Sequence, residues 1–433
     1  MQHSPNLFLR LKESIFIRNI LIVMSGTAVA QVIGLALTPI VSRLFTPEHF
    51  GISGAFESLA GIISAGVTLQ YSQAIMLPKE KKEAFQLFFV SILSTLLVTL
   101  LLMTACLIIP SYLNGWMKTE GYWALALLVS VTFVSGLGQS FQAWSVRVKA
   151  FKHTSASQVI RSISSHVMRI GFGLSKGGAV GLIISSFIAE ILATVNLMRV
   201  FIRDFRSFEG GICRKNLKRL AWEYRDFPLY SASQNVINTL SSRLPILLLT
   251  YYFGIAVAGA YAFAMHILTT PTGFILNALR QVLFQKAAET FQQEEKLYPL
   301  FFKITGGLFL LTFIPGVFIF FWAPQLFAFI FGAQWRQAGE FSRSLLIWIV
   351  FIIPNLPAVL FARIIRIQRS VFFYDLGLLA ARVVSLTVGG LYMNAHQTIM
   401  LFALVGAVMN AFLILMVGYA IIQREGNKDV IGR

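Results

Sequence analysis

The residues able to do chemistry in this chain stand inside stretches that are otherwise apolar. Arg161, Arg169, Arg243 and Arg382 lie at or within such stretches, as do Glu57, Glu190, Asp375, His166 and His266. An arginine at the middle of a membrane-crossing helix costs about 2.5–3.5 kcal/mol, so it calls for a partner, a wet cavity or a task. Arg161, Ser165 and Arg169 follow one another at steps of four. On a helix that spacing puts both guanidiniums on one face, about 12 Å apart along the axis. Guanidinium forks match the oxygens of a diphosphate, so one chemistry is a positively lined cavity that accepts an anionic substrate through Arg161, Arg169, Arg243 and Arg382. The other reading pairs Arg243 with Glu57, and Arg382 with Asp375 seven residues away, as buried ion pairs that hold helices together. Glu57, Glu190, Asp375, His166 and His266 are candidates for coupling to protons. A lone histidine in such a helix serves more commonly as a packed polar residue. Both sets of readings stay open on the sequence.

Uncharged polar residues add a second pattern. Thr27, Gln31, Gly34, Thr38 and Ser42 share one face of the first apolar helix. Ser231, Gln234, Asn235, Asn238 and Ser242 form a similar stripe far along the chain. Such faces look into a bundle or a wet cavity and away from acyl chains. Gln31, Asn235 and Asn238 are therefore further candidates for the cavity lining. Each stripe is followed by a glycine-bearing phrase, GISGAF at 51–56 and GAYAF at 259–263. Setting Gly51 on Gly259 pairs Thr27 with Asn235 and Gly34 with Ser242, the mark of duplicated halves.

These residues need long apolar helices to carry them. The chain has 433 residues, 56% hydrophobic and only 12% charged, where soluble domains are about a quarter charged. Mean hydropathy is +0.72. The sequence thus predicts an all-α polytopic membrane protein. Twelve spans are expected, near 16–44, 50–76, 84–110, 121–145, 158–175, 179–202, 228–252, 256–283, 298–322, 341–363, 371–392 and 398–422. Arg10, Lys12 and Arg18 before an apolar run, with Ala28-Val29-Ala30 after it, imitate a signal peptide. The run continues to Ile40, too long for that, and reads as an uncleaved first span. The great majority of the 36 Lys and Arg residues fall in one alternating set of loops together with both tails. That asymmetry predicts cytoplasmic termini and explains the net charge of +18 without nucleic acid. Six spans on either side of a basic loop give an expected N-terminal lobe at 1–205, an interfacial linker at 206–227 and a C-terminal lobe at 228–433. In the linker, Arg214, Lys215, Lys218 and Arg219 suit an anionic leaflet, while Ile212, Leu220, Trp222, Tyr224 and Phe227 can dip into it.

Other classes fare less well. Cys106 and Cys213 make no disulfide framework, and the six histidines form no ligand cluster, so neither metal nor cofactor is expected. No phosphate-binding glycine loop is present. A membrane glycan polymerase, ligase or acyltransferase would carry a large outer loop with catalytic residues. The longest outer loop expected here, Phe321 to Glu340, has no clustered His, Asp or Glu. Pro271 in the eighth span, and Pro354 and Pro357 around Asn355 in the tenth, mark expected kinks.

Two phrases point to a family. YRDFPLYSASQNVINTLSSRLPILLLTYYFGIAVAGAYAFAMHIL at 224–268, with QVLFQKAAE at 281–289, resembles the start of the second half in bacterial polysaccharide flippases. RLFTPEHFG at 43–51 resembles their signature at the first membrane hairpin, with Arg43, Pro47 and Gly51 matching as a structural turn. These are the Wzx-type O-antigen repeat-unit flippases of the multidrug/oligosaccharidyl-lipid/polysaccharide exporter superfamily. The resemblance implies two six-helix lobes about a central cavity. It also implies movement of an undecaprenyl-diphosphate-linked oligosaccharide across the bacterial inner membrane, with membrane lipids and other polysaccharide-assembly proteins as partners. A cationic cavity and proton-linked exchange are family themes, carried by position onto Arg169, Arg243 and Arg382 as candidates. A drug exporter of the same fold is the alternative.

Overall fold

The computed structural model describes residues 7–119, 121–208, 211–293, 296–365 and 367–431; side chains are described from residue 26, except scattered positions between 274 and 292 and those beyond 425. The outermost ends of the two expected lobes, and the side chains of Arg10, Lys12, Arg18 and Arg366, lie outside the described residues.

The described chain is helical from end to end. The helices are α1 (Leu7–Leu44), α2 (Pro47–Gly66), α3 (Tyr71–Ala74), α4 (Lys81–Ile108), α5 (Pro110–Met117), α6 (Tyr122–Arg147), α7 (Phe151–Leu174) and α8 (Gly178–Arg206). They continue as α9 (Arg214–Glu223), a π-turn at Phe227–Ala232, α10 (Ser233–Phe253), α11 (Ile255–Gln292), α12 (Leu297–Phe331), α13 (Arg336–Ile352), α14 (Asn355–Ile364), α15 (Gln368–Tyr392) and α16 (Ala395–Ile431). Each expected span falls on one of these helices or on a consecutive pair. Among the described residues, nine helical stretches are long and apolar enough to cross a membrane. α2, α7 and α10 fall outside that set, and they carry Glu57, Arg161, His166, Arg169, Asn235, Asn238 and Arg243. These seven candidates sit on helices less apolar than the membrane-crossing set, whereas Gln31, Glu190, His266, Asp375 and Arg382 stand on stretches of that set.

Breaks follow local chemistry. Gly254 at φ 88° turns the chain between α10 and α11, a left-handed conformation that glycine adopts without a Cβ penalty. Gly332 at φ 112° ends α12. The expected outer loop at 321–340 is thereby reduced to this glycine and a short turn at Ala333–Trp335. Trp335 is fully buried and stacks on Phe263 at 3.9 Å, so core packing draws the segment in. Pro354 separates α13 from α14 as expected. Pro271 does not break α11, where Thr269, Thr270 and Thr272 donate their hydroxyls to carbonyls one turn back.

The chain packs as two compact units, one of residues 1–45 and 55–243, the other of 46–54 and 244–433. In the first, Phe85, Phe88, Trp144 and Phe201 form an aromatic core between α4, α6 and α8. α4 and α6 approach closely because Gly136 faces Thr95 and Ser91 shares a 2.8 Å hydrogen bond with Ser140. Arg147 donates to the carbonyls of Ile75 and Pro78, at 2.7 Å each, and clamps the loop before α4. α9 is held to this unit through protein contacts: Leu220 is fully buried in the aromatic core, the Tyr71 hydroxyl donates to the Ala221 carbonyl at 2.8 Å, and Arg219 pairs with Glu83 at 2.6 Å. Trp222 stays exposed beneath Arg225. In the second unit Phe263, Trp335, Phe341 and Phe402 build one core and Phe301, Phe361 and Leu413 another. Phe50 packs edge-on against Phe263 and Trp335. Beside it, Gly51 meets the backbone of α11 directly. A Cβ at Gly51 would overlap the Ile255 carbonyl, and one at Gly259 would overlap the Pro47 carbonyl. The two glycines matched as repeat partners in the sequence thus touch each other's helices.

Candidate functional site

The first unit gathers most of the candidate residues. α7 and α8 run as a tight hairpin, and their polar residues meet rung by rung. Ser157 donates to the Ala193 carbonyl, and Asn196 donates to Ser157 and to the His153 carbonyl. One turn on, Arg161 engages Glu190 through both oxygens, Nε to Oε2 at 2.8 Å and Nη2 to Oε1 at 2.9 Å. Two turns further, Arg169 Nη2 donates to the Ser186 hydroxyl at 3.0 Å. Ser186 in turn donates to Glu57 Oε1 on α2 at 3.0 Å, with the Arg169–Glu57 separation 3.8 Å. The step-of-four spacing on α7 does place Arg161 and Arg169 on one face, toward α8. Glu57 is thus engaged by Arg169.

An adjacent face of α7, one residue round the helix, receives α1. Ser162 donates to the Ala30 carbonyl at 2.6 Å, and Gly34 leaves room for the His166 ring. His166 is buried, its Nδ1 2.8 Å from the Ser162 carbonyl, which suits a packed polar residue. The Gln31 carboxamide oxygen is buried with no hydrogen-bond donor among the described residues. On α10, Asn235 donates to the Ala65 carbonyl at 2.8 Å, while Asn238 is exposed. Arg243 is exposed as well, and its guanidinium lies over Gly61, one turn beyond Glu57 on α2. Among the described residues it has no ion-pair partner. Among the described residues, the two arginines of α7 that face α8 are matched to carboxylates and Arg243 on α10 is not.

Arg382, Asp375 and His266 belong to the second unit. Arg382 is 9% exposed, with its guanidinium over the Trp348 ring at 4.9 Å and the Phe402 ring at 5.7 Å. Ring faces attract a cation by their quadrupole, and the attraction grows where water is excluded. Tyr261, Tyr374 and Asp375 surround it electrostatically. The sequence offers no sign of the ring partners, which come from α13 and α16. Ser186 was also not singled out, although Ser186, Glu190 and Thr194 repeat at steps of four on an apolar helix and could have revealed it. Among the described residues, no group of His, Cys, Asp and Glu stands ready to hold a metal.

This is the fold of multi-pass membrane transporters. A MATE family multidrug resistance transporter of the MOP superfamily, in its inward-facing conformation, superposes with a TM-score of 0.70 over 93% of this chain and 95% of its own, at 16% identity. The lipid II flippase MurJ, in an inward closed conformation, gives 0.74 over 94% and 90%, at 12% identity. A MOP superfamily transporter from Pyrococcus furiosus gives 0.60 over 93% and 95%, at 15% identity. A family profile described as polysaccharide biosynthesis protein matches residues 40–340, and the chain belongs to that family. A curated membrane protein in the cps region of Klebsiella pneumoniae is 21% identical over 344 residues, which are 78% of this chain and 66% of that protein's length. Family and fold together make the chain a multi-pass membrane protein of the polysaccharide biosynthesis family.

Proposed function

We propose that the protein is a secondary transporter that flips an undecaprenyl-diphosphate-linked oligosaccharide repeat unit, of O-antigen or a related surface polysaccharide. Movement runs from the cytoplasmic to the periplasmic leaflet of the bacterial inner membrane by alternating access, with both termini cytoplasmic. The expected lobes at 1–205 and 228–433 are the moving parts. The observation that carries this reading is Arg243, an exposed arginine on a polar membrane-length helix with no paired carboxylate among the described residues. A charge so placed is favourable only beside water or an anion. A diphosphate supplies the anion, and its fork-like oxygens suit guanidinium better than ammonium. Arg169 and Arg161 extend the positive surface when the substrate competes with Glu57 and Glu190 for them. Glu57 and Glu190, which the substrate would displace, are the candidates for coupling transport to protons.

Deletion in the native strain tests the reading directly. The expected outcome is loss of surface polysaccharide with accumulation of lipid-linked repeat units. Complementation with Arg243→Ala should fail, and Arg243→Lys should restore part. Unchanged polysaccharide with altered drug tolerance would reverse the reading in favour of a drug exporter.

A further inference from the structure

The second unit carries a feature that the headgroup chemistry leaves unused. Two apolar clefts run end to end along α12. One, of about 530 Å³, is lined by Tyr298, Phe302, Gly306, Ala411, Leu415 and Tyr419 among others. The next, of about 400 Å³, is lined by Phe313, Val317, Phe321 and Leu346. Phe309 and Phe351 line both, so the clefts share a wall and form one groove. From Tyr298 to Phe321 a helix advances about 35 Å, enough to cover the hydrocarbon core of roughly 30 Å.

The floor of this groove is unusual for packed helix. Gly306 and Gly307 lie in the interior of α12, where glycine is a poor helix former. A Cβ at either would meet no atom. Some glycines of this unit are demanded by neighbours: a Cβ at Gly406 would strike Trp348, and one at Gly389 would strike Thr398. Gly306, like Gly273 on α11, has no such neighbour, and the space above it is open.

The occupant can be narrowed by shape and chemistry. Among the lining residues, Thr305 alone bears an aliphatic hydroxyl, and the wall mixes aromatic rings with aliphatic side chains. The acyl chain of an ordinary phospholipid reaches through one leaflet, half the core, and would fill half the groove. A polyprenyl chain is long enough for the whole, and its branching methyls pack against rings. At the Tyr298 end, exposed Lys303 follows Phe302, and Tyr419 accepts a hydrogen bond from Gln423 at 2.6 Å. Tyrosine rings and a lysine mark a polar interface suited to an anionic head.

We propose that this groove holds the isoprenoid tail of a polyprenyl-phosphate lipid carrier. The proposal rests on the flippase reading and adds a tail site to it. The test is native mass spectrometry of the full-length protein titrated with undecaprenyl phosphate, farnesyl phosphate and phosphatidylglycerol. Gly306→Trp and Ala411→Phe each plug the groove at one point, whereas Gly306→Ala places a methyl in open space. Wild type and Gly306→Ala are expected to hold undecaprenyl phosphate about tenfold more tightly than either shorter lipid, and each plugged variant to lose about tenfold at an unchanged melting temperature. Equal binding by wild type and both plugged variants would overturn the tail site while leaving the flippase reading intact. Phosphatidylglycerol bound as tightly as undecaprenyl phosphate would reduce the groove to a lipid-facing surface. No binding of undecaprenyl phosphate by any form would take down the flippase reading and this proposal together.

Discussion

Replacing Arg169 with alanine separates two roles that the geometry superimposes. Arg169 donates to Ser186, Ser186 to Glu57, and the charges stand 3.8 Å apart. Removing one partner of a fully buried pair costs about 3–5 kcal/mol because the other charge is stranded. Here the Glu57 side chain is 37% exposed and the contact runs through a hydroxyl, so about 1–2 kcal/mol is the appropriate loss. That loss lowers the amount of protein in the membrane several-fold. Adding Glu57→Gln removes the stranded charge and leaves an acceptor for Ser186. The double variant should therefore regain its membrane level and melting temperature. It should not regain surface polysaccharide, because a diphosphate still lacks its arginine. Immunoblotting of membranes and polysaccharide staining on the same cells read the two quantities separately. If the double variant restores polysaccharide along with protein level, Arg169 is merely the counter-ion of Glu57, and the anion-binding argument for it is refuted.

Arg147→Ala should lower stability by about 2–3 kcal/mol, since two charge-assisted hydrogen bonds to backbone carbonyls are lost, and limited proteolysis should then cut between residues 75 and 80. Lysine there should recover less than half, because it cannot fork to Ile75 and Pro78 together. Gly51→Leu should destabilise by at least about 1–3 kcal/mol, the ordinary cost of overpacking, while Gly306→Ala should be neutral or stabilising in the same thermal melt. Arg382→Met should remove the ring-face attraction at Trp348 and Phe402, and Arg382→Lys should keep part of it, as read by melting and tryptophan fluorescence. Arg219→Ala should lower the melting temperature only slightly, because the Arg219 side chain of its pair with Glu83 is half-exposed and Leu220 and Tyr71 still hold α9.

Much of the architecture was legible because apolar length is written locally. Each expected span coincides with helix, and the step of four from Arg161 to Arg169 put both on the face that meets α8. Partners were not legible, since a distance along the chain says nothing about which helix lies opposite. The alternatives weighed for Glu57 paired it with Arg243; Arg169 engages it, through a serine on a third helix. The pairing of Arg161 with Glu190 likewise depends on the α7–α8 hairpin, and the aromatic seat of Arg382 on two helices brought together by folding. Leu220 was expected at the lipid interface by its position in a basic, amphipathic stretch. It is drawn into the aromatic core of α4, α6 and α8 because that core is deficient on the side where α9 lies. The outer loop at 321–340 disappeared for a related reason, the burial of Trp335.

The contact of Gly51 with the start of α11, and of Gly259 with the start of α2, sets backbone against backbone at one point of that crossing, beside the interleaved Phe50 ring. Where ridges lock into grooves, a change of angle must first lift the helices apart. At Gly51 and Gly259 the distance between the helices is instead set by the backbones themselves, and a single methyl group at either position would force them apart and unseat the Phe50 ring.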